Sequence, residues 1–565
     1  MVYLGVDFGT TYCCMYYYNG ETLEGIVDSM GNRLIPTCVY CSESATLFGK
    51  LAISELPYRP WNTITNIKRL IARQDTNISL PYETVIDKDT NQLMIVLKSD
   101  DDPKKTVGTR SVEEIISMML DYLRNVAEDY LSLCVTGIVL TAPAYFDQLQ
   151  KEALQRAAKT INLPIIDIIS EPTAAALCYK TDIKSIVLVY DIGGGTLDVT
   201  LLECQENRYT AITKIGDPEL GGVNFTEIIE DFLIKEFLSK NPSLADITSS
   251  KTTMSKIKVE AENIKIKLSE VSNVNISIDN FYKKKSLDTS LSRLKFETLA
   301  KLLFDKCDLC LDKLLKSIHP NLVITDVIFI GGSSRMPNIR NRVLTMITSR
   351  QSTRPATHNN INPDEAVSIG AAKHAFSLSN PNNVASVKLT EVLSRNIGIQ
   401  VGANKMDVIV EKNTRLPCVK TVTYATFHNS QVKMRVRLFQ GDDPNVKYNK
   451  LIGILEMDIK PRPKGEIKVI LSISVMSDGM LTVSALERDS NSEKKLVINN
   501  LTNINTKPEL VNSNIEVFKK IKRLIVNKDI KDQKYLDFIA SKEKVNIEAE
   551  SSKEFNDILT ELLAL

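Results

Sequence analysis

Residues 185–198 read Ser-Ile-Val-Leu-Val-Tyr-Asp-Ile-Gly-Gly-Gly-Thr-Leu-Asp, and the rest of the sequence is best understood from this stretch. Its first part, residues 186–190, is apolar and largely β-branched, which predicts a buried strand. The three glycines that follow leave no Cβ between the backbone and a ligand. Backbone N–H groups in such a turn attract an anion, whereas Asp191, Thr196 and Asp198 offer oxygen ligands to a hydrated cation. The stretch suits a magnesium-bound polyphosphate, and a glycine-rich hairpin with two solvated acids explains it equally well.

Two further turns of the same kind follow other apolar strands. Asp7-Phe8-Gly9-Thr10-Thr11 comes after residues 2–6, and Gly331-Gly332-Ser333-Ser334-Arg335 comes after residues 327–330. The first of these turns, with the one at 193–196, predicts a duplicated device for gripping phosphate, with one copy in each half of a two-lobed domain. No Gly-x-x-x-x-Gly-Lys-Ser/Thr loop occurs in the sequence, so this is not the usual P-loop. Strand–turn–strand pairs that hold phosphates from two sides are typical of the actin-like ATPase fold.

Four motifs make the resemblance closer. They are Asp7-Phe8-Gly9-Thr10-Thr11-Tyr12, Glu171-Pro172-Thr173-Ala174-Ala175-Ala176, residues 191–198 and Asn362-Pro363-Asp364-Glu365-Ala366. In their order and spacing they resemble the signatures of the 70-kDa heat-shock chaperone family. The resemblance implies an α/β, two-lobed actin-like ATPase domain, followed by an antiparallel β-sandwich and a short C-terminal helical segment. We expect the nucleotide-binding ATPase domain at 1–380, an interdomain linker at 381–395, a β-sandwich peptide-binding domain at 396–505 and a short helical lid at 506–565.

The resemblance also implies roles within a nucleotide site. Lys68 would reach the γ-phosphate and the attacking water, and Glu171 would help to position that water. From composition alone, Lys68 is a solvated lysine and Glu171 a capping acid at a helix start. The implied catalytic residues are Asp7, Lys68, Glu171, Asp191, Thr196 and Asp198, of which Asp7, Asp191 and Asp198 would organise Mg²⁺ and K⁺, partly through water. The residues implied to hold ATP or ADP are Gly9, Thr10, Thr11, Tyr12, Lys68, Gly193, Gly194, Gly195, Thr196, Gly221, Gly222, Glu262, Lys265, Ser269, Gly331, Gly332, Ser333, Arg335 and Asp364.

The adenosine side departs from the family at one position. Glu262, Lys265 and Ser269 match family positions that hold adenosine, on a Lys- and Glu-rich helical stretch that otherwise reads as a solvated face. Ile266 stands where the family has an arginine that stacks on adenine, whereas Arg335 supplies the other stacking arginine. Because an aliphatic side chain cannot stack as a planar cation, we expect weaker nucleotide binding than in the family.

The linker departs from the family as well. Lys388 replaces a leucine that is buried when the family's linker docks, and Lys151 replaces an arginine of the family's switch. Asp167 stands where bacterial members have an arginine that pairs with the linker acid, here Glu391. We therefore expect repulsion between Asp167 and Glu391. Docking would also either desolvate the Lys388 ammonium group or leave it outside the groove. Coupling between ATP and peptide would then be weak.

Residues 396–500 change to a period of two, which predicts an antiparallel β-sandwich. Residues 433–438 alternate strictly, and residues 468–475 and 481–485 flank a Ser-Asp-Gly turn typical of a hairpin. In the family, such a sandwich grips an extended peptide through backbone hydrogen bonds and a leucine-sized pocket. The alternative is plain sandwich core. The implied pocket residues are Ile399, Val401, Tyr424, Met434 and Val436, with Gly402 and Phe427 in the covering arch.

The composition is that of an ordinary globular protein. Of 565 residues, 43% are hydrophobic and 25% are charged, and the net charge of +1 points to neither nucleic acid nor a membrane surface. We find no signal peptide and no membrane-spanning run, so a cytoplasmic location is expected. Cys38 and Cys41, like Cys307 and Cys310, have the spacing of half a zinc site, but ordinary buried thiols are favoured.

These observations predict an ATP-hydrolysing chaperone that binds extended apolar peptide segments. A J-domain co-chaperone and a nucleotide exchange factor are its candidate partners. The alternative is a dedicated assembly or transport factor that uses the same ATPase fold for one partner, which the altered linker and the short lid favour. A third candidate, an actin-fold sugar kinase, is disfavoured by the predicted β-sandwich.

Overall fold

The computed structural model describes residues 2–73, 75, 80–179, 181–358, 362–477, 479–488 and 493–497. By its contacts the chain divides into one unit, Met1–Asn499, and a second, Asn500–Leu565. The second unit lies outside the described residues, and so does the lid predicted at 506–565. Within the described ranges, no helix combines the length and the apolar character needed to cross a membrane.

The first lobe, residues 2–176, is an α/β layer. Its elements are β1 (Val2–Phe8), β2 (Tyr12–Tyr18), β3 (Leu23–Gly25), β4 (Ile35–Pro36), β5 (Val39–Cys41), β6 (Thr46–Phe48), α1 (Gly49–Glu55), β7 (Thr63–Ile64), β8 (Glu83–Ile86), β9 (Leu93–Lys98), β10 (Thr106–Ser111), α2 (Val112–Leu131), β11 (Val135–Ala142), α3 (Gln148–Thr160), β12 (Ile165–Ser170) and α4 (Glu171–Ala176), with 3₁₀ turns at Pro60–Asn62 and Ile67–Leu70. The main sheet has the order β12-β11-β1-β2-β3, with β4 beside β2. Helix α2 begins with a capping box between Ser111 and Glu114 and buries one apolar face.

The second lobe, residues 181–358, repeats this plan. Its elements are β13 (Thr181–Ile192), β14 (Leu197–Glu206), β15 (Arg208–Asp217), α5 (Gly222–Lys240), α6 (Lys251–Glu270), β16 (Asn273–Tyr282), β17 (Lys285–Ser292), α7 (Arg293–Leu299), α8 (Lys301–Ser317), β18 (Asp326–Ile330), α9 (Pro337–Gln351) and β19 (Ala356–Thr357), with 3₁₀ turns at Pro242–Ser249 and Gly332–Arg335. The strand predicted at 186–190 is the centre of β13, which pairs with β14 on one side and β18 on the other. The residues of this strand that face α5 and α8 pack into one large apolar core.

Helix α10 (Ala366–Ser379) lies with α4 between the two main sheets. Two glycines allow this close packing, because a Cβ on Gly370 would clash with Ala174 O and one on Gly5 would clash with Ala372 N. The two turns predicted to grip phosphate, residues 9–11 and 193–196, follow β1 and β13, and we term them the phosphate turns. The same small-residue core therefore fixes them relative to one another.

The β-sandwich follows a short strand, β20 (Lys388–Thr390). Its strands are β21 (Ile397–Val401), β22 (Lys405–Val410), β23 (Cys418–Ala425), β24 (Lys433–Gln440), β25 (Lys450–Asp458), β26 (Lys468–Val475), β27 (Leu481–Glu487) and β28 (Glu493–Val497), with a 3₁₀ turn at Val446–Tyr448. One sheet has the order β22-β21-β24-β25 and the other β23-β26-β27-β28. The predicted alternation of β24 is confirmed, since Val436 and Leu438 are buried whereas Lys433 and Arg435 are exposed.

Candidate active site

The turn after β1 packs directly against the turn after β13. A Cβ on Gly194 would clash with Thr11 Oγ1, and a Cβ on Gly195 would lie 2.6 Å from Thr10 Oγ1. The glycines of one turn therefore pack against the hydroxyl side chains of the other. The structure brings together the two turns that the sequence identified as a pair.

The start of α5 supports the second turn from behind. A Cβ on Gly221 would lie 2.5 Å from the backbone nitrogen of Thr196, so only glycine allows this approach. Gly222 N donates to Gly193 O at 2.9 Å, and Ser333 Oγ donates to the same carbonyl at 3.0 Å. Three segments that lie far apart in the sequence thus position one turn.

Lys68 lies at the bottom of the cleft, only 3% exposed, and donates to the carboxylate of Glu171. Burial alone would lower the pKa of Lys68, but Glu171 and Asp7 raise it above its ordinary value. Burial and repulsion from Glu171 raise the pKa of Asp7 to about 7. The same two causes raise the pKa of Asp191 and of Asp198 well above the usual range. Four carboxyl groups therefore crowd around one buried ammonium group.

This excess of buried negative charge fits a bound cation. Ala144 N donates to Asp198 Oδ1 at 2.9 Å, but Asp198 Oδ2 is buried and accepts no hydrogen bond from the described residues. Asp7 accepts a hydrogen bond from Thr141 Oγ1 at 3.1 Å. No three His, Cys, Asp or Glu side chains in the described ranges are grouped closely enough to ligate a metal directly.

Arg69 and Tyr145 belong to this site, although the sequence suggested no role for either. Arg69 Nη2 donates to Gly195 O at 2.7 Å and to Asn224 Oδ1 at 3.1 Å, so it ties the first lobe to the second turn. The Tyr145 hydroxyl is buried without a hydrogen-bond partner among the described residues, and burial raises its pKa well above the usual value. The sequence could have indicated them only by position, because Arg69 directly follows Lys68 and Tyr145 lies just after the end of β11.

On the adenosine side, Glu262 and Lys265 form an ion pair of 2.7 Å. Lys265 Nζ also donates to Gly222 O at 3.0 Å, and burial lowers the pKa of Lys265. Ser269 Oγ donates to Lys265 O at 3.4 Å, one turn further along α6. Ile266 is 50% exposed on the same helix. The three predicted adenosine residues thus share one helix face beside the start of α5.

Arg335 is held by Asp364, with 2.5 Å between Nη2 and Oδ2. Gly331 N donates to Pro363 O at 3.0 Å, and a Cβ on Gly332 would lie 3.6 Å from Asp364. The third glycine turn therefore adjoins the Asn362–Ala366 motif, and the arginine remains half exposed toward the cleft. Tyr12 is 45% exposed, directly after the first turn.

The comparisons with known proteins agree with this geometry. The family model described as Hsp70 protein matches residues 3–561. The chain belongs to the Hsp70 family. It is 31% identical over 517 residues to Heat shock cognate 70 kDa protein 3 of Dictyostelium discoideum, covering 88% of this chain and 80% of that protein. It is 32% identical over 513 residues to Heat shock 70 kDa protein 2 of Paracoccidioides lutzii, covering 88% of this chain and 76% of that protein.

The linker of this Hsp70 protein lies against the edge of the second lobe. Strand β20 pairs in parallel with β15 at the edge of the second lobe's sheet, with Arg208 opposite Lys388 and Thr210 opposite Thr390. Lys388 N donates to Asn207 O at 2.7 Å. The Lys388 side chain is exposed, so docking does not remove its ammonium group from water. The expected desolvation of Lys388 is wrong, whereas the alternative, an ammonium group left outside the groove, is confirmed.

The predicted repulsion between Asp167 and Glu391 is also wrong, because each acid has another partner. Glu391 forms a buried ion pair with Lys214 of β15 and accepts from Ser170 Oγ at 3.1 Å. Burial by itself would raise the pKa of Glu391, but the charge of Lys214 holds that pKa below its usual value. Asp167 instead contacts His374 of α10 at 2.7 Å. We term the contacts of Glu391 with Lys214 and Ser170 the linker junction.

The residues predicted to bind peptide lie in the sandwich, with different degrees of exposure. Ile399 and Val436 are buried, with 4% and 3% of their surface exposed, as both a pocket floor and a sandwich core require. Tyr424, on the other sheet, donates to Asp407 at 2.7 Å. The partly exposed members of the set are Val401, Tyr424 and Met434, and the exposed ones are Gly402 and Phe427.

The two Cys-x-x-Cys pairs consist of buried side chains, as predicted. Cys38 and Cys41 lie in and beside β5, whereas Cys307 and Cys310 lie on the buried face of α8. Burial raises the pKa of all four thiols, to about 12 for Cys307 and Cys310. These thiols therefore behave as small apolar core groups.

Proposed function

We propose that this Hsp70 protein is an ATP-dependent molecular chaperone that hydrolyses ATP slowly to ADP and phosphate and binds extended apolar peptide segments. One observation carries the proposal: the two phosphate turns pack against each other, and the buried pair of Lys68 and Glu171 interacts electrostatically with Asp7 and Asp191, which precede these turns. The family relatives, which are named as heat-shock proteins, support the same role.

Hydrolysis at this site would depend on positioning and on charge neutralisation. The hydroxyls of Thr10, Thr11 and Thr196 and the glycine N–H groups would hold the β- and γ-phosphates from both sides. Lys68 would stabilise the charge on the γ-phosphate, and Glu171 would orient the attacking water. Mg²⁺, held through water by Asp7, Asp191 and Asp198, would supply further charge neutralisation, and K⁺ would occupy the same carboxylate-rich region.

The adenosine would lie on the other side of the turns, between α6 and the turn that bears Arg335. Glu262, Lys265 and Ser269 would contact the sugar and the base, and Arg335 would stack on one face of adenine. The opposite face would meet Ile266, which is half exposed.

Peptide would bind in the sandwich, where Val401, Tyr424 and Met434 are partly exposed beside the buried Ile399 and Val436. Gly402 and Phe427 would cover the groove. A J-domain co-chaperone and a nucleotide exchange factor are the partners we propose for such a chain. The domain limits given above, 1–380, 381–395, 396–505 and 506–565, belong to the same proposal.

The decisive experiment is ATP hydrolysis by Lys68→Ala. We expect the rate to fall on the order of 100-fold, because a charge-stabilising group is lost at the reacting phosphate. Lys50→Ala, which changes an exposed lysine of α1, is the matched control and should hydrolyse ATP at the parent rate. ATP binding by Lys68→Ala, measured by calorimetry, shows whether the site remains intact. A Lys68→Ala variant that hydrolyses ATP at the parent rate would refute the role given to Lys68.

A peptide array tests the chaperone activity against the alternative of a dedicated assembly or transport factor. We expect binding to many segments that share a short apolar core. Met434→Asp should remove this binding without changing basal ATP hydrolysis, whereas Lys433→Asp, at the exposed neighbouring position, should keep it. Binding to segments of one protein alone would favour the alternative.

A further inference from the structure

A cavity of about 730 Å³ adjoins the phosphate turns. Thr10, Lys68 and Thr196 form its inner wall, so it reaches the place where the γ-phosphate would lie. Neither the adenosine residues of α6 nor Arg335 contributes to its lining. A nucleotide held by the adenosine side would therefore fill the cleft without filling this cavity.

The outer wall of the cavity carries cationic side chains. Arg69 and Arg73 follow Lys68 in the sequence, Lys306 comes from α8 and Lys450 from the sandwich. The lining acids are Asp75, Asp217, Glu219 and Glu227. Arg73 forms ion pairs with two of these acids, at 3.0 Å from Asp75 and 3.6 Å from Glu219, and compensates part of their negative charge.

Lys306 differs from the other lining cations. Its side chain is exposed at the outer edge of the cavity, and no carboxylate of the described residues lies within ion-pair distance of it. A cation in this position can attract a small anion between the inner wall and the solvent.

Lys450 connects this cavity to the sandwich. Its Nζ lies 2.6 Å from Asp147 Oδ2, at the residue before α3. Next to this ion pair, Gln148 N donates to Gln440 Oε1 at 3.3 Å. The lysine is therefore at the cavity only while the sandwich contacts the first lobe.

We propose that inorganic phosphate, the product of the hydrolysis proposed above, leaves through this cavity, and that Lys306 and the sandwich residue Lys450 line its exit. The inference rests on the proposed function, because ATP hydrolysis is the source of the phosphate. The path that the phosphate takes does not depend on that function. Because phosphate must enter from solvent by the route through which it leaves, a change at the exit alters both rates by the same factor. The equilibrium affinity for phosphate then stays the same.

The test uses the full chain saturated with ADP, Mg²⁺ and inorganic phosphate. Rapid mixing with an excess of a fluorescent phosphate sensor gives the release rate, and the concentration dependence of binding gives the entry rate. In Lys306→Glu we expect both rates to fall on the order of 3- to 10-fold at low salt, and the difference to shrink as salt screens the charge. Lys313→Glu, which reverses an exposed lysine on the same helix outside the cavity, should match the parent.

Lys450→Met tests the contribution of the sandwich, with Lys447→Met as its control. We expect slower release and entry for the first variant alone. Unchanged rates in both Lys306→Glu and Lys450→Met, or equal changes in the control variants, would overturn the proposed path. ATP cleavage is followed separately by acid quench. A parent that binds phosphate but cleaves no ATP would refute the proposed function and leave the path supported by the binding rates alone.

Discussion

The phosphate turns and the linker junction hold distant parts of the chain together by different means. At the turns, glycine backbones pack against threonine side chains and against the start of α5, and the contacts depend on volume. At the junction, a buried ammonium and a buried carboxylate pair beside a hydroxyl, and the contacts depend on charge. The turns should therefore be sensitive to a single added methyl group, and the junction to the loss of one charge.

The largest effect is expected at the junction. Lys214→Met leaves Glu391 buried without its ion-pair partner, and breaking such a pair destabilises by about 3–5 kcal/mol. The side chains of Lys214 and Glu391 are only 5% and 10% exposed, so water offers little compensation. We expect β20 to detach from β15. Hydrogen exchange should then show that the amides of residues 388–390 lose their protection.

Two further variants distinguish the loss of this ion pair from a general loss of stability. Lys214→Met combined with Glu391→Gln removes both charges, and we expect it to regain most of the lost protection. Asp167→Ala should leave the linker protected, since Asp167 pairs with His374 and not with the linker. Greater protection in Asp167→Ala than in the parent would restore the original expectation that this acid repels Glu391 of the linker.

The next largest effect is expected behind the second phosphate turn. Gly221→Ala places a methyl group 2.5 Å from the Thr196 nitrogen and from the Gly195 carbonyl carbon, so the turn must shift. Overpacking of this kind typically costs about 1–3 kcal/mol. We expect a lower melting temperature without nucleotide and a large loss of ATP hydrolysis.

Gly193→Ala is the matched control, because a Cβ there meets no atom within 4 Å. Without nucleotide it should melt like the parent. If Gly193→Ala and Gly221→Ala lower the melting temperature equally, the packing argument fails and the turn is sensitive for another reason.

The difference between the two regions also explains how much the sequence could predict. The turns are local: a strand, a glycine run and hydroxyl residues identify each one, and the structure brings the two together as expected. The pairing of Glu391 with Lys214 joins residues 177 positions apart, and no local pattern marks Lys214 as its partner. Lys388 is exposed because β20 joins the edge of the sheet formed by β15. The sequence of β20 alone does not determine which edge it joins. Arg69 was missed because its acceptors, Gly195 O and Asn224, lie in the other lobe.

The smallest expected effect concerns the adenine faces of the same site. Arg335 is anchored by Asp364, whereas Ile266, proposed to meet the other face of the base, is half exposed and has no charge. Ile266→Arg would place a guanidinium where it can stack on the base. At a partly exposed position such a contact contributes about 0.5–1 kcal/mol, so we expect ATP and ADP to bind on the order of 2- to 5-fold more tightly.

Calorimetry of ADP binding measures this gain, and Ile266→Gln is the control for a longer polar side chain without charge. Ile266 follows Lys265, whose ion pair with Glu262 the substitution leaves in place, so the sugar contacts should remain unchanged. GTP, whose base has different polar edges but a similar aromatic face, should gain a comparable factor if stacking alone is responsible. No gain for any nucleotide, with Arg335 still in place, would show that the base does not pass beside Ile266. The adenosine side would then be organised differently from the one proposed above, although the phosphate turns would still pack against each other.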